Sequence, residues 1–176
     1  AATVAPTVIT ASGVSKRFGA KRAIDGLSLS VAEGEVVGLL GPNGSGKTTM
    51  VRMFNGLLRP DAGGVTVGGL DPLERGDDVR RATGVLTETA RFYRHMTALQ
   101  NLRFFADLYG VTDPERPRRL MEEVGLGDDM HRQVGTYSTG MRKRLGFAKA
   151  LLHDPRVLFL DEPTSGLDPD GTRDVL

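Results

Sequence analysis

The sequence has no cysteine, which excludes disulfides and cysteine-held metal within these 176 residues and fits a reducing cytoplasm. It has no apolar run near the roughly 20 residues that a membrane-spanning helix needs. The opening "AATVAPTVITAS" carries neither an initiator Met nor the basic-then-apolar order of a secretory signal. A surplus of one charge is missing too. Its 23 basic and 22 acidic residues leave a net +1, so the balance points to neither nucleic acid nor an anionic membrane as a partner. Internal repeats and low-complexity tracts are absent. What is there is an ordinary globular composition, 39% apolar and 26% charged, long enough for one domain with a real core.

Alternation in "TVITAS" and "GLSLSVAEG" predicts strands, and the continuous apolar run "EVVGLL" predicts a strand buried on both faces. A helix is expected from Gly46 or Lys47 to a stop before "GLLRPDAGG". "GGVTVGG" and "ATGVLTE" read as further short strands. From Thr97 the pattern turns helical: Leu99, Leu102, Phe105 and Leu108 recur at steps of three, with Thr97 as N-cap and Gly110 as stop. "PERPRRLMEEVG" is a second helix ending at Gly125, and Ser138 to His153 a third. "RVLFLDEP" is a buried strand ending in two acids. The last stretch, "GLDPDGTRDVL", stops inside what reads as a helix from Asp168 or Pro169, so a fragment truncated at its C-terminus is expected. Strands separated by helices imply an α/β fold on a mixed or parallel sheet, with a helical insertion from about 89 to 137.

The stretch "GPNGSGKTT", Gly41 to Thr49, fits G-x-x-x-x-G-K-[ST]. Glycines let the backbone of Gly41, Pro42, Asn43, Gly44, Ser45 and Gly46 curl until its N–H groups point inward. The helix that begins there adds its positive dipole end. Lys47 would reach the β- and γ-phosphates of ATP, the Thr48 hydroxyl would ligate Mg²⁺, and Thr49 would lie near the α-phosphate. A flexible glycine-rich turn is the bland alternative. Asp161 and Glu162 close an apolar strand at the carboxyl end, where open α/β sheets bind ligands. Asp161 suits the magnesium-side carboxylate, and Glu162 could polarise an attacking water. Alone, such a pair is weak and can be a turn cap. Its weight comes from the phosphate loop 114 residues earlier (161 − 47 = 114, counted from Lys47), within one domain.

From "VSKRFGAKRAIDGLSLSVAEGEVVGLLGPNGSGKTT" to "YSTGMRKRLGFAKALLHDPRVLFLDEPTSGLD", the order and spacing of five motifs resemble the ATP-binding cassette (ABC) family. The resemblance covers nearly the whole chain. It implies a P-loop cassette with an N-terminal antiparallel β part, an ATP-binding core at 1–88 and 138–176, and a helical subdomain between them. Tyr137-Ser138-Thr139-Gly140-Met141 stands where the family's signature loop usually reads Leu-Ser-Gly-Gly-Gln, and such Tyr-Ser-x-Gly-Met variants resemble exporter cassettes of the ABC-2 drug and antibiotic type. Ser138 and Gly140 at a helix N-terminus are then implied to bind the γ-phosphate held by a second subunit, though Ser138 also suits a plain helix cap. Phe18 matches the aromatic that stacks on adenine; its alternative is core filling at a strand end. Ser165 to Asp168 matches the loop that crosses between subunits. Glu88 stands where the family usually has Gln, keeping an oxygen ligand for Mg²⁺ and the water but adding negative charge. The family's switch histidine would lie beyond the chain's last residue, and His95, His131 and His153 read as bland surface positions.

The resemblance implies an ATPase subunit of a transporter, most simply an exporter. Two copies would form a homodimer docked to a separate transmembrane permease at the cytoplasmic face of the membrane, with no nucleic acid involved. Weak turnover is expected of the chain by itself. Soluble ABC ATPases of translation or DNA-repair type, or a nucleotide switch that does not hydrolyse, are the alternatives. The basic run Arg142-Lys143-Arg144 reads as a solvated helix face, Phe104 and Phe105 as helix packing. "RFYRHM", Arg91 to Met96, lies where the family docks its membrane subunit.

Overall fold

The computed structural model describes residues 5–42, 44–87 and 91–161. Asn43, Glu88, Glu162, the Ser165–Asp168 loop and the helix expected near Asp168 lie outside them. The chain divides into two compact units, Ala1–Ala82 and Thr83–Leu176.

In the first unit, β1 (Thr7–Phe18) pairs antiparallel with both β2 (Lys21–Ala32) and β3 (Ala62–Val67), giving the order β2-β1-β3. Both long strands outrun the segments their alternation marks, because register shifts interrupt the period of two. Serines fill the gaps. The Gly13 N–H donates to Ser28 Oγ and the Gly26 N–H to Ser15 Oγ, each at 2.9 Å. Ile9, Ala11, Val14, Ile24, Val31, Val65 and Val67 are buried on the sheet. Helix α1 (Lys47–Phe54) buries Met50, Met53 and Phe54.

Helix α2 (Gly76–Ala82) has no counterpart in the sequence analysis. Only Val79 is buried on it, so it shows no apolar period. Instead Asp77 and Asp78 open it and Arg80 and Arg81 close it, as the helix dipole favours.

The strand expected at "EVVGLL" is not formed. Residues 35–40 join no ladder among the described residues, and Val36 and Leu40 are 97% and 96% exposed. An apolar run supplies side chains for a strand but not the neighbouring N–H and C=O groups that make it one.

In the second unit, β4 (Thr83–Leu86) and β5 (Val157–Leu160) run parallel, in register from Thr83 opposite Val157 to Leu86 opposite Leu160. Val157 and Phe159 are buried while Leu158 and Leu160 are exposed, so this strand buries one face among the described residues and not two. A Cβ on Gly84 would lie 2.2 Å from the Ala150 carbonyl oxygen, so only glycine lets the helix that carries Ala150 pack this closely.

That helix is α5 (Thr139–Leu151). It shares one core with α3 (Ala98–Tyr109) and α4 (Arg116–Glu123), built from Leu102, Leu120, Met121, Leu126, Leu145 and Leu152. Thr97 caps α3 with a full capping box, as its spacing to Gln100 allows, and Gly110 ends it. The buried face of α3 is Ala98, Leu99, Asn101, Leu102 and Ala106, whereas Leu108 is 69% exposed. Steps of three drift off a helix that turns every 3.6 residues, and Leu108 is where the drift shows.

Candidate functional site

The phosphate loop is positioned by the β1–β2 hairpin behind it. Gly46 is the N-cap of α1 with φ +99°, in the left-handed region, and a Cβ there would stand 2.7 Å from the Ala23 carbonyl oxygen and 3.0 Å from Ile24 Cγ1. Conformation and space therefore both demand glycine at this position. Lys47 Nζ donates to the carbonyls of Gly41 at 2.6 Å and Pro42 at 3.1 Å, and the Ser45 N–H donates to Pro42 O at 3.1 Å. The loop is thus braced by its own lysine. Among the described residues no side chain caps α1 at Gly46, and its first turn carries no acidic residue, as suits an anion there. Thr48 is exposed on that turn and Thr49 half-buried.

Phe18, at the tip of β1, is 50% exposed. Core filling is therefore excluded for it, and its ring is accessible. Lys16 Nζ sits 5.9 Å from the ring centroid and is anchored to Asp61 at 2.7 Å and to Arg59 O at 2.8 Å. The Lys16 hydrogen bond, helped by the Arg17 N–H, holds the Asp61 carboxyl below its ordinary range.

In the second unit Ser138 is exposed and caps α5, accepting from the Met141 N–H at 3.2 Å, with Gly140 half-buried beside it. Asp161 follows β5, its N–H donating to Leu86 O at 2.9 Å. Lys47 and its loop belong to one compact unit, and Ser138, Gly140 and Asp161 to the other.

The support beneath Ser138 is Tyr137, which is 3% exposed and whose hydroxyl donates to the Asp129 carbonyl at 2.7 Å. Burial, aided by the nearby Asp129 charge, pushes this phenol up to about 12. The basic run after it is not simply solvated. Arg142 donates to Tyr137 O and to Thr139 Oγ1, and Arg144 reaches Gly125 O at 3.4 Å.

His153 also departs from a bland surface role. Its Nε2 donates to the Thr83 carbonyl at 3.0 Å, and its ring stacks on Tyr109 with centroids 4.4 Å apart. Phe105 packs partly against the core beneath Lys149, whose Nζ lies 3.7 Å from the ring centroid. Burial pulls the Lys149 ammonium below its ordinary value.

Sequence patterns did not single out Asn101. It is fully buried, donates to the Tyr93 and Thr97 carbonyls at 3.0 Å each, and accepts from the Tyr93 N–H at 2.9 Å. It thereby fixes the Arg91–Met96 loop, where Tyr93 is 45% exposed and stacks edge-on against Phe104. A polar residue on an otherwise apolar helical face was the one available signal.

The family profile described as "ABC transporter" matches residues 24–165. A "Fluoroquinolones export ATP-binding protein" of Mycobacterium tuberculosis is 45% identical over 176 residues, covering 99% of this chain and 58% of the relative. A "Daunorubicin resistance ATP-binding protein DrrA3" of Streptomyces coeruleorubidus is 46% identical over 175 residues, covering 98% and 55%. Among solved structures, an ATP-binding subunit of an ABC transporter aligns with TM-score 0.86 at 28% identity, covering 96% of this chain and 72% of that one. The cbiO1 protein of Clostridium perfringens, part of the complex cbiONQ, aligns with TM-score 0.82 at 25% identity, covering 96% and 70%. The chain spans a little over half the length of the curated relatives it matches.

Proposed function

The chain belongs to the ABC transporter family, and from that premise we propose that it is the ATP-binding and hydrolysing part of a subunit that powers an exporter. The observation that carries this is the braced loop: a glycine-capped helix N-terminus free of acidic residues, with Lys47 held across the Gly41 and Pro42 carbonyls. This donor set fits a polyphosphate. The named roles of the fluoroquinolone and daunorubicin relatives support the direction of transport.

In the proposed mechanism, Phe18 stacks on adenine while the N–H groups of Gly41–Thr49, including Asn43 and Ser45, cradle the phosphates. Lys47 leaves its loop carbonyls for the β- and γ-phosphate oxygens. Among the described residues no three His, Cys, Asp or Glu side chains gather as a metal site. The Thr48 hydroxyl and the Asp161 and Glu88 carboxylates are oxygen donors, the kind Mg²⁺ favours, and would hold the ion. When bound, it neutralises charge on the β- and γ-phosphates. Glu162 orients the attacking water and takes its proton. Ser138 and Gly140 of a second copy close on the γ-phosphate from the far side, so that binding joins two subunits and hydrolysis parts them.

On the same reading, residues 1–88 and 138–176 form the ATP-binding core and about 89–137 the helical subdomain. No helix among the described residues is long and apolar enough to cross a membrane. The transmembrane permease would be a separate subunit, with this one at the cytoplasmic face. The experiment is steady-state phosphate release by the full-length protein, alone and with its co-purified membrane partner. Glu162→Gln is expected to lower the rate at least about 100-fold while ATP still binds. An unchanged rate would remove Glu162 from the mechanism, and co-purification of ribosomes or DNA in place of a membrane protein would remove transport.

A further inference from the structure

We propose that Lys21 supplies a second ammonium for the phosphate chain, carried to the glycine loop by the β1–β2 hairpin; this rests on the ATP reading above. The placement is direct. A Cβ built on Gly44 would lie only 3.3 Å from Lys21 Nζ, so the ammonium stands against the loop's middle glycine. Two residues on, the same strand meets the loop again, where Gly46 abuts the Ala23 carbonyl. The hairpin's return strand therefore lines the phosphate loop at two points.

Register adds to this. Phe18 and Lys21 are opposite partners across the hairpin end, so their side chains share one face of the ribbon. That face offers an accessible ring and a cation side by side, which suits a molecule with an aromatic base at one end and a chain of negative charge at the other.

Two neighbouring cations are committed elsewhere. Lys16 is bonded to Asp61 and the Arg59 carbonyl, and Arg22 is ion-paired with Asp25. The Lys21 ammonium has no hydrogen bond or ion pair among the described residues. A triphosphate carries more negative charge than Lys47 alone can balance. A flexible ammonium at Gly44 meets that excess as a point charge, without the fixed geometry a guanidinium would impose. Its contribution should therefore grow with the number of phosphates and vanish for a nucleotide that does not extend along the loop.

The test is calorimetric titration of the full chain with ATP and with AMP, for the parent, Lys21→Met and Lys21→Arg, alongside nucleotide-free melting curves. Lys21→Met is expected to weaken ATP binding about three- to tenfold, to leave AMP within about twofold, and to melt like the parent; Lys21→Arg should recover most of the ATP affinity. Equal ATP affinity in parent and Lys21→Met overturns the inference alone. So does an equal loss for ATP and AMP, a Lys21→Arg as weak as Lys21→Met, or a loss of affinity that only follows a lowered melting temperature. A parent that binds no ATP overturns the nucleotide reading and this inference with it.

Discussion

The ammonium of Lys47 lies 2.6 Å from the carbonyl oxygen of Gly41, six residues back along the same loop. The loop is thus closed on itself by the group proposed to open toward phosphate. Lys47→Ala removes both the brace and the cation. Those bonds are exposed, so folding stability should fall by less than about 1 kcal/mol, whereas ATP affinity should fall more than about tenfold. Paired melting and binding curves separate the two effects.

Gly46→Ala should lower stability as well as binding. Its backbone is left-handed, and the added methyl would meet the Ala23 carbonyl at 2.7 Å. The expected cost is about 2–3 kcal/mol of stability, measured by denaturant titration, together with loss of nucleotide binding.

Phe18→Ala should leave the melting temperature nearly unchanged, because half of the ring is already exposed. If the ring stacks on adenine, calorimetry should show ATP binding weakened by about 1–3 kcal/mol, with a much smaller loss for inorganic triphosphate. Equal losses for both ligands would rule out stacking.

What could be read in the sequence was whatever a local pattern encodes. The phosphate loop, the Thr97 capping box and the Gly110 stop each sit within a few residues of their partners, and the structure has the cap, the stop and the helix that starts at Lys47 where the pattern puts them. What could not be read depends on partners far along the chain. The serines opposite Gly13 and Gly26 lie fifteen and eleven residues away, and they carry β1 past its apparent end. Asn101 looked unremarkable until the Tyr93 loop folded over it. "EVVGLL" failed in the other direction, since its pattern describes a strand only when neighbours are present to pair with it.

Tyr137→Phe tests the support under the signature segment. It deletes the 2.7 Å bond to Asp129 O in a buried setting, so a loss of about 1–2 kcal/mol is expected near neutral pH. The folded phenol titrates near 12, above its ordinary value. The parent therefore holds this stabilisation fully below about pH 10 and loses it as pH rises through 12, and the gap between parent and Tyr137→Phe should narrow over that window. Stability curves at stepped alkaline pH measure it.

In the proposed mechanism, one chain's glycine cradle and a second chain's Ser138 helix would hold the same phosphate. Sedimentation of full-length Glu162→Gln, in which slow hydrolysis should preserve the nucleotide-bound state, tests this most directly. Monomers are expected without nucleotide and dimers with ATP, and adding Ser138→Arg should abolish the dimer while each chain still binds ATP. Monomers at saturating ATP, or a dimer indifferent to Ser138→Arg, would contradict it.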